Sequence, residues 1–258
     1  MVPDKKAVFG TGRGAVDQSG AHLAGVSSMA TRAVLAELAQ QYQRTSGRSV
    51  AFLSLGGVDA AQRIRDGESF DVVVLARDSI DRLITEGQLL AGSVVDLARS
   101  GVAVAVPAGA PRPDVGSEDA LKRAVLAART IGYSTGPSGV ALAKLFDRWG
   151  LTETLAGRTV VAMPGVPVGE LVARAEVALG FQQLSELMTV DGIEVVGRLP
   201  APVDIVTTFS GAVGARSRRP DEAAALLRFL ASPAADEVKR RQGMEPARAR
   251  DGVQEQPA

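Results

Sequence analysis

The segment from Ser49 to Gly87, SVAFLSLGGVDAAQRIRDGESFDVVVLARDSIDRLITEG, constrains the fold more than any other part of the chain. A β-branched and aromatic stretch runs into Gly56-Gly57, a helical pattern opens at once, and Asp71 introduces the uninterrupted apolar run VVVLA. A run without polar alternation suits a parallel strand covered on both faces. The glycine turn sets backbone N–H groups at a helix start, an arrangement suited to an anion. Strand, turn, helix, strand and helix in this order predict an α/β chain that holds a small, negatively charged molecule at its strand ends.

At 258 residues the chain can bury a large core, as one big domain or two compact lobes. Its 29 Lys and Arg balance 29 Asp and Glu, and no basic run is interleaved with aromatics, so nucleic acid is not an expected partner. No apolar stretch approaches the roughly 20 residues of a membrane helix. Cysteine is absent, which removes disulfides, thiolate metal sites and a cysteine nucleophile. His22 is the only histidine and reads as a surface residue, so neither a histidine-based triad nor a zinc site is expected. The composition calls for no metal and no cofactor. Residues 1–21 are polar and glycine-rich without a signal-peptide core, and 248–258 are polar; both are expected to be disordered tails.

Between these tails strands and helices alternate. A strand at His22–Ser28 leads into a helix through MATRAVLAELAQQYQRT, stopped by Gly47, with Ser27 or Ser28 as its N-cap. After the opening segment comes a strand at Gly101–Val106, then a second βα series. It holds a helix at Ser117–Arg129, a strand at Thr130–Tyr133, the turn Ser134-Thr135-Gly136-Pro137-Ser138-Gly139, and a further helix. The series continues with a strand at Thr159–Met163, a helix at Val168–Glu176 and a short strand with a polar end, LGFQQ. One long helix, Pro220–Arg241, closes the chain. Two series joined by extended crossings predict two lobes, one from 22–98 plus 203–247 and the other from 99–202, with a ligand cleft between them.

Four stretches, VSSMATRAVLAELAQQY, RIRDGESFDVVVLARDSIDRLITEGQL, RAEVALGFQQLSEL and RFLASPAADEVKRRQGMEPA, carry a resemblance. Across roughly residues 23 to 247 the chain resembles the periplasmic solute-binding proteins of the molybdate-binding type, a branch of the type II periplasmic-binding fold. The resemblance implies an oxyanion held between lobes by serine hydroxyls and helix-start N–H groups. Here those positions are Ser27 or Ser28, the turn Gly56-Gly57-Val58, the Ser134–Gly139 turn with Ser138, and Gln182-Gln183. Two positions depart from molybdate binders: Gly-Gly-Val replaces a hydroxyl residue, and glutamine stands where a tyrosine is usual. The resemblance further implies a periplasmic monomer that meets the membrane only through an ABC transporter permease. Aconitate isomerase belongs to the same branch, so the resemblance also implies, as an alternative, an organic-acid ligand or its isomerisation.

Read as residues alone, the candidates keep two readings each. Ser27 and Ser28 suit either anion contact or capping, and Gly56 and Gly57 either ligand contact or a tight turn. Successive strand residues point to opposite sides, so one of Gln182 and Gln183 is expected to face the cleft. Tyr133 reads as a core edge or a ligand contact. Arg77, directly after the apolar run, is the residue best suited to fork onto a carboxylate; otherwise it is a solvent-facing helix arginine, as is Arg32. An isomerase needs a base and an acid beside its substrate. Asp59, Asp78, Glu170 and Glu186 lie near predicted turns, but each reads as a helix-dipole partner or surface charge. A solute-binding protein for a small oxyanion or carboxylic acid is therefore the leading expectation, an aconitate-isomerase-like enzyme the alternative, and a regulatory sensor domain the last.

Overall fold

The computed structural model describes residues 22–163 and 165–247, so both expected tails lie outside the described residues. The chain opens with β1 (His22–Ser28), α1 (Arg32–Ser46), β2 (Ser49–Leu55), α2 (Gly57–Arg65), β3 (Val72–Ala76) and α3 (Arg77–Thr85). A long strand, β4 (Val95–Pro107), carries it into a second series. This comprises α4 (Glu118–Ala127), β5 (Ile131–Ser134), α5 (Pro137–Arg148), α6 (Thr152–Leu155), β6 (Thr159–Ala162) and α7 (Val168–Ala173). It ends with β7 (Leu179–Gln183), α8 (Leu184–Leu187) and β8 (Ile193–Arg198). The chain returns through β9 (Val206–Val213), α9 (Pro220–Ala231), α10 (Asp236–Arg241) and β10 (Glu245–Pro246).

The apolar run behaves as its composition requires. Val72 and Val74 pack into one core and Val73 and Leu75 into another, so β3 is covered on both faces. All four are essentially inaccessible, and burying such a side chain stabilises by about 1.5–3 kcal/mol. Its neighbours differ from a purely parallel sheet, since β3 pairs parallel with β1 but antiparallel with β9. Asp71, just ahead of it, accepts from the Ala24 N–H at 2.9 Å and from the Ser217 hydroxyl at 2.6 Å, tying the start of β3 to both flanks.

The strands follow the order β2-β1-β3-β9-β4-β7-β5-β6, with β8 and β10 pairing on β4. The first half of β4 pairs with β9 and the second half with β7 and β8. Two separate sets of cores follow. Side chains from 23–98 and 209–244 pack around β1, β3 and β9, while those from 102–203 pack around β4, β5 and β7. The helices expected after β1, β2, β3 and β5 are present, and so is the short helix α7 after β6. Two boundaries differ by more than three residues. The expected strand at Gly101–Val106 starts six residues earlier, at Val95, because its polar first half hides the strand period. The expected closing helix breaks at extended Ser232, since Pro233 lacks the N–H that would continue it.

The candidate anion cleft

Strands β1, β2 and β3 run parallel, as do β5, β6 and β7, and the C-terminal ends of both groups open onto one cavity of about 380 Å³. Open α/β sheets place ligands at this end, where strand–helix turns leave free N–H groups. Three helices of nine or more residues start in its wall, namely α2 after Gly56, α3 after Ala76 and α5 after Gly136. None of these N-cap residues spends a side chain on its helix, so the first-turn N–H groups are left for something in the cavity. Each start carries about half a positive charge, so the three supply a positive field. Ser28, Ser79, Ser134, Thr135, Ser138 and Thr207 add hydroxyls, and among the described residues neither lysine nor arginine lines the wall.

Seven of the sequence-predicted residues come together here: Ser28, Gly56, Gly57, Ser134, Ser138, Gln182 and Gln183. Four do not line the cavity. Ser27 turns the other way along β1, where its Oγ lies 2.9 Å from that of Ser54. Tyr133 packs edge-on to Phe146, with ring centroids 6.2 Å apart. Gly139 is buried within α5 against the carbonyl of Ser134. Arg77 is drawn off by its own helix and by β4: Nε donates to Asp81 at 2.9 Å and Nη1 to Asp96 at 2.9 Å. These bonds, to Asp81 first and Asp96 second, hold the guanidinium proton more firmly than usual. Arg77→Lys is expected to leave ligand affinity unchanged and to cost under about 1 kcal/mol of stability, as exposed ion pairs do; calorimetric titration and a melting curve check both.

The end of β7 is the most ordered polar part of the wall. Gln182 and Gln183 are both buried and both reach the cavity, because the strand stops at Gln183 and the backbone turns into α8. Gln183 donates to the Thr207 hydroxyl at 2.8 Å and leaves its buried Oε1 without a protein partner. Gln182 accepts from the Gly169 N–H at 3.0 Å and donates to Glu186 Oε1 at 2.8 Å. Glu186 departs from the surface role its sequence position suggested. Part of its surface stays open to the cavity, yet its carboxyl is ringed by protein, and this desolvation pushes its pKa up to about 7 against the opposing bond from Gln182. The signal available in the sequence was its position: three residues beyond a strand that ends at the binding edge. Asp59, in the first turn of α2, is the other ionisable residue of the wall.

A match to the bacterial extracellular solute-binding proteins spans residues 23–245, nearly the whole described chain. The chain belongs to that family. It is 37% identical over 230 residues to an aconitate isomerase from a Pseudomonas species, covering 87% of each chain. Among solved structures it resembles the periplasmic molybdate-binding protein of Azotobacter vinelandii, with a TM-score of 0.72 and 21% identity over 86% of this chain and 98% of that one. It also resembles the sulfate-binding protein SubI of Mycobacterium tuberculosis H37Rv, with a TM-score of 0.71 and 15% identity over 88% of both. At these identities the solved structures show the fold, which is the two-lobed α/β architecture of periplasmic binding proteins. Among the described residues no helix is long and apolar enough to cross a membrane.

Proposed function

We propose that this solute-binding protein captures a small di- or tricarboxylic acid between lobes formed by 22–98 plus 203–247 and by 99–202. The observation that carries the reading is a wall that holds no cation among the described residues, in which three open helix starts and six hydroxyls surround about 380 Å³. Such a wall meets negative charge by hydrogen bonds spread over a surface. Its volume falls in the range of roughly 300–1,000 Å³ typical of small organic ligands and exceeds what a four-oxygen anion needs. We further propose a periplasmic monomer that passes its ligand to an ABC transporter permease, a role in keeping with membership of the bacterial extracellular solute-binding proteins. A second reading, isomerisation of the bound acid, is favoured by the aconitate isomerase that shares 37% of its residues over most of both chains.

A thermal-shift panel of cis- and trans-aconitate, citrate, molybdate, sulfate and phosphate tests the reading. A ligand at 100 times its Kd adds about 2.7 kcal/mol. At this chain length that raises Tm by about 5–10 °C. The expected result is a shift with carboxylic acids. Shifts confined to the tetrahedral oxyanions would replace the reading with an oxyanion carrier.

A further inference from the structure

Helix starts and hydroxyls in the cleft wall favour an anion, but two carboxyl groups, Glu186 and Asp59, do not. Glu186 sets a carboxyl group among helix starts and hydroxyls, where a passive anion carrier gains nothing from it. The group is held in place with care. The Gly169 N–H can only donate, so it fixes Oε1 of Gln182 on its own side and turns the Gln182 Nε2 toward Glu186. Gln182 is buried and has no freedom to flip without losing both bonds. Among the described residues nothing else bonds the Glu186 carboxyl, which leaves Oε2 to the cavity. Among the described residues no cation in the wall neutralises it, and Asp59, on α2 in the other wall, is its one ionisable companion.

We propose that Glu186 is the acid–base residue of a proton shift on the bound acid, which deepens the carboxylic-acid reading above and depends on it. The ligand class is an unsaturated polycarboxylate with a methylene carbon beside a carbon–carbon double bond. The Glu186 carboxylate takes a proton from the methylene carbon: that C–H bond breaks, an O–H bond forms, and the electron pair moves into the adjoining π system. The new carboxylic acid then returns the proton to the far alkene carbon, so the O–H bond breaks, a C–H bond forms, and the double bond has moved by one carbon. Atoms and electrons balance with no oxidant, reductant or second substrate. Negative charge that builds on the ligand between the two transfers meets the N–H groups of α2 and α5, which are oriented before the reaction begins. Aconitic acid is constitutionally unchanged by such a shift, so its cis and trans forms interconvert. A pKa of about 7 populates both states of the carboxyl near neutrality, as a group that takes and returns a proton requires.

The test incubates the protein with trans-aconitate in D₂O and follows the ligand by NMR. The wild type is expected to introduce deuterium at carbon and to generate cis-aconitate. Glu186→Gln is expected to slow both by at least about 100-fold, the usual contribution of a positioned acid–base group. The same variant should still melt at a higher temperature when trans-aconitate is present, which shows that the cleft is folded and filled. Glu186→Asp, which keeps a carboxyl one methylene further back, should restore part of the exchange. Exchange in Glu186→Gln at the wild-type rate overturns the assignment. So does a wild type that is stabilised by trans-aconitate yet exchanges no proton and forms no isomer. A wild type that neither shifts nor turns over with any carboxylic acid instead removes the ligand reading itself, and the inference with it.

Discussion

Affinity for a polycarboxylate should fall about tenfold for each pH unit above about 7, and Glu186→Gln should flatten that slope. The cause is competition for one field. A bound anion and an ionised Glu186 share a cleft with no cation between them, so binding favours the protonated carboxyl and takes up one proton. Below about 7 the carboxyl already carries that proton, and Glu186 adds no pH dependence until the ligand's own carboxyl groups titrate. Above it the proton must come from solvent, at a cost that grows with pH. Isothermal titration in two buffers of different ionisation enthalpy counts the proton directly, and an equal slope in the variant would dismiss the linkage. The same group also acts on the empty protein. Its folded pKa of about 7 lies above the ordinary 4.5, so its contribution to stability is complete below 4.5 and is lost as pH rises through about 7. The loss amounts to at most ~3 kcal/mol, less because the side chain keeps some exposure. Glu186→Gln should therefore melt higher than the wild type at pH 8 and alike at pH 4. If Glu186 also moves the proton, turnover of bound ligand should rise with pH while affinity falls, a pair of opposed trends that a merely structural carboxyl would not give.

Gly139→Ala should lower Tm by about 5 °C or more and abolish stabilisation by ligand. A methyl group there would stand 1.7 Å from the Ser134 carbonyl oxygen and 2.8 Å from its carbon, while the Tyr133 ring lies 3.3 Å away. Backbone cannot yield as a side chain end can, so α5 must move off the end of β5. Overpacking of this kind costs about 1–3 kcal/mol or more. At this length that corresponds to several degrees. The displaced segment is the Ser134–Ser138 turn, which forms one side of the cleft, so fold and site fail together. Gly136→Ala is the matched control. Its added carbon meets only the Ser134 hydroxyl, at 3.6 Å, on backbone any residue adopts, and it should melt near the wild type. Comparable loss in both variants would show that the close approach at Gly139 is not the cause.

The part of the cleft that was legible in the sequence is the part made by local geometry. Ser28, Gly56, Gly57, Ser134 and Ser138 lie where a strand hands over to a helix, and the chain pattern alone places such turns on the ligand side. Arg77 occupies the same kind of turn but has a long side chain, and reach decided its fate. Asp81, one helical turn on, and Asp96, from the start of β4, capture the guanidinium before it can serve the cleft. The first partner was visible at i+4 spacing; the second depends on tertiary folding. Glu186 was legible in position, just past a strand end, but not in its chemistry. Its helix has four residues, too few for a period, and its chemistry comes from burial that no local pattern records. Gln182 and Gln183 were read as alternating, which fails where a strand stops and the backbone turns.

The return of β9 between β3 and β4 dictates the order in which this chain can fold as it leaves the ribosome. β3 joins β9 through residues such as Val72 and Val213, some 140 positions apart, whereas 102–203 make their two cores among themselves. Contacts of such sequence separation form late, because a long loop must close first. The middle of the chain is therefore free to fold while its flanks wait. During that interval one edge of β3 presents unpaired backbone and the apolar VVVLA, the kind of strand edge that recruits a second chain. A nascent chain stopped near Ile205 would keep that edge open permanently, and only the arrival of Val206–Val213 closes it.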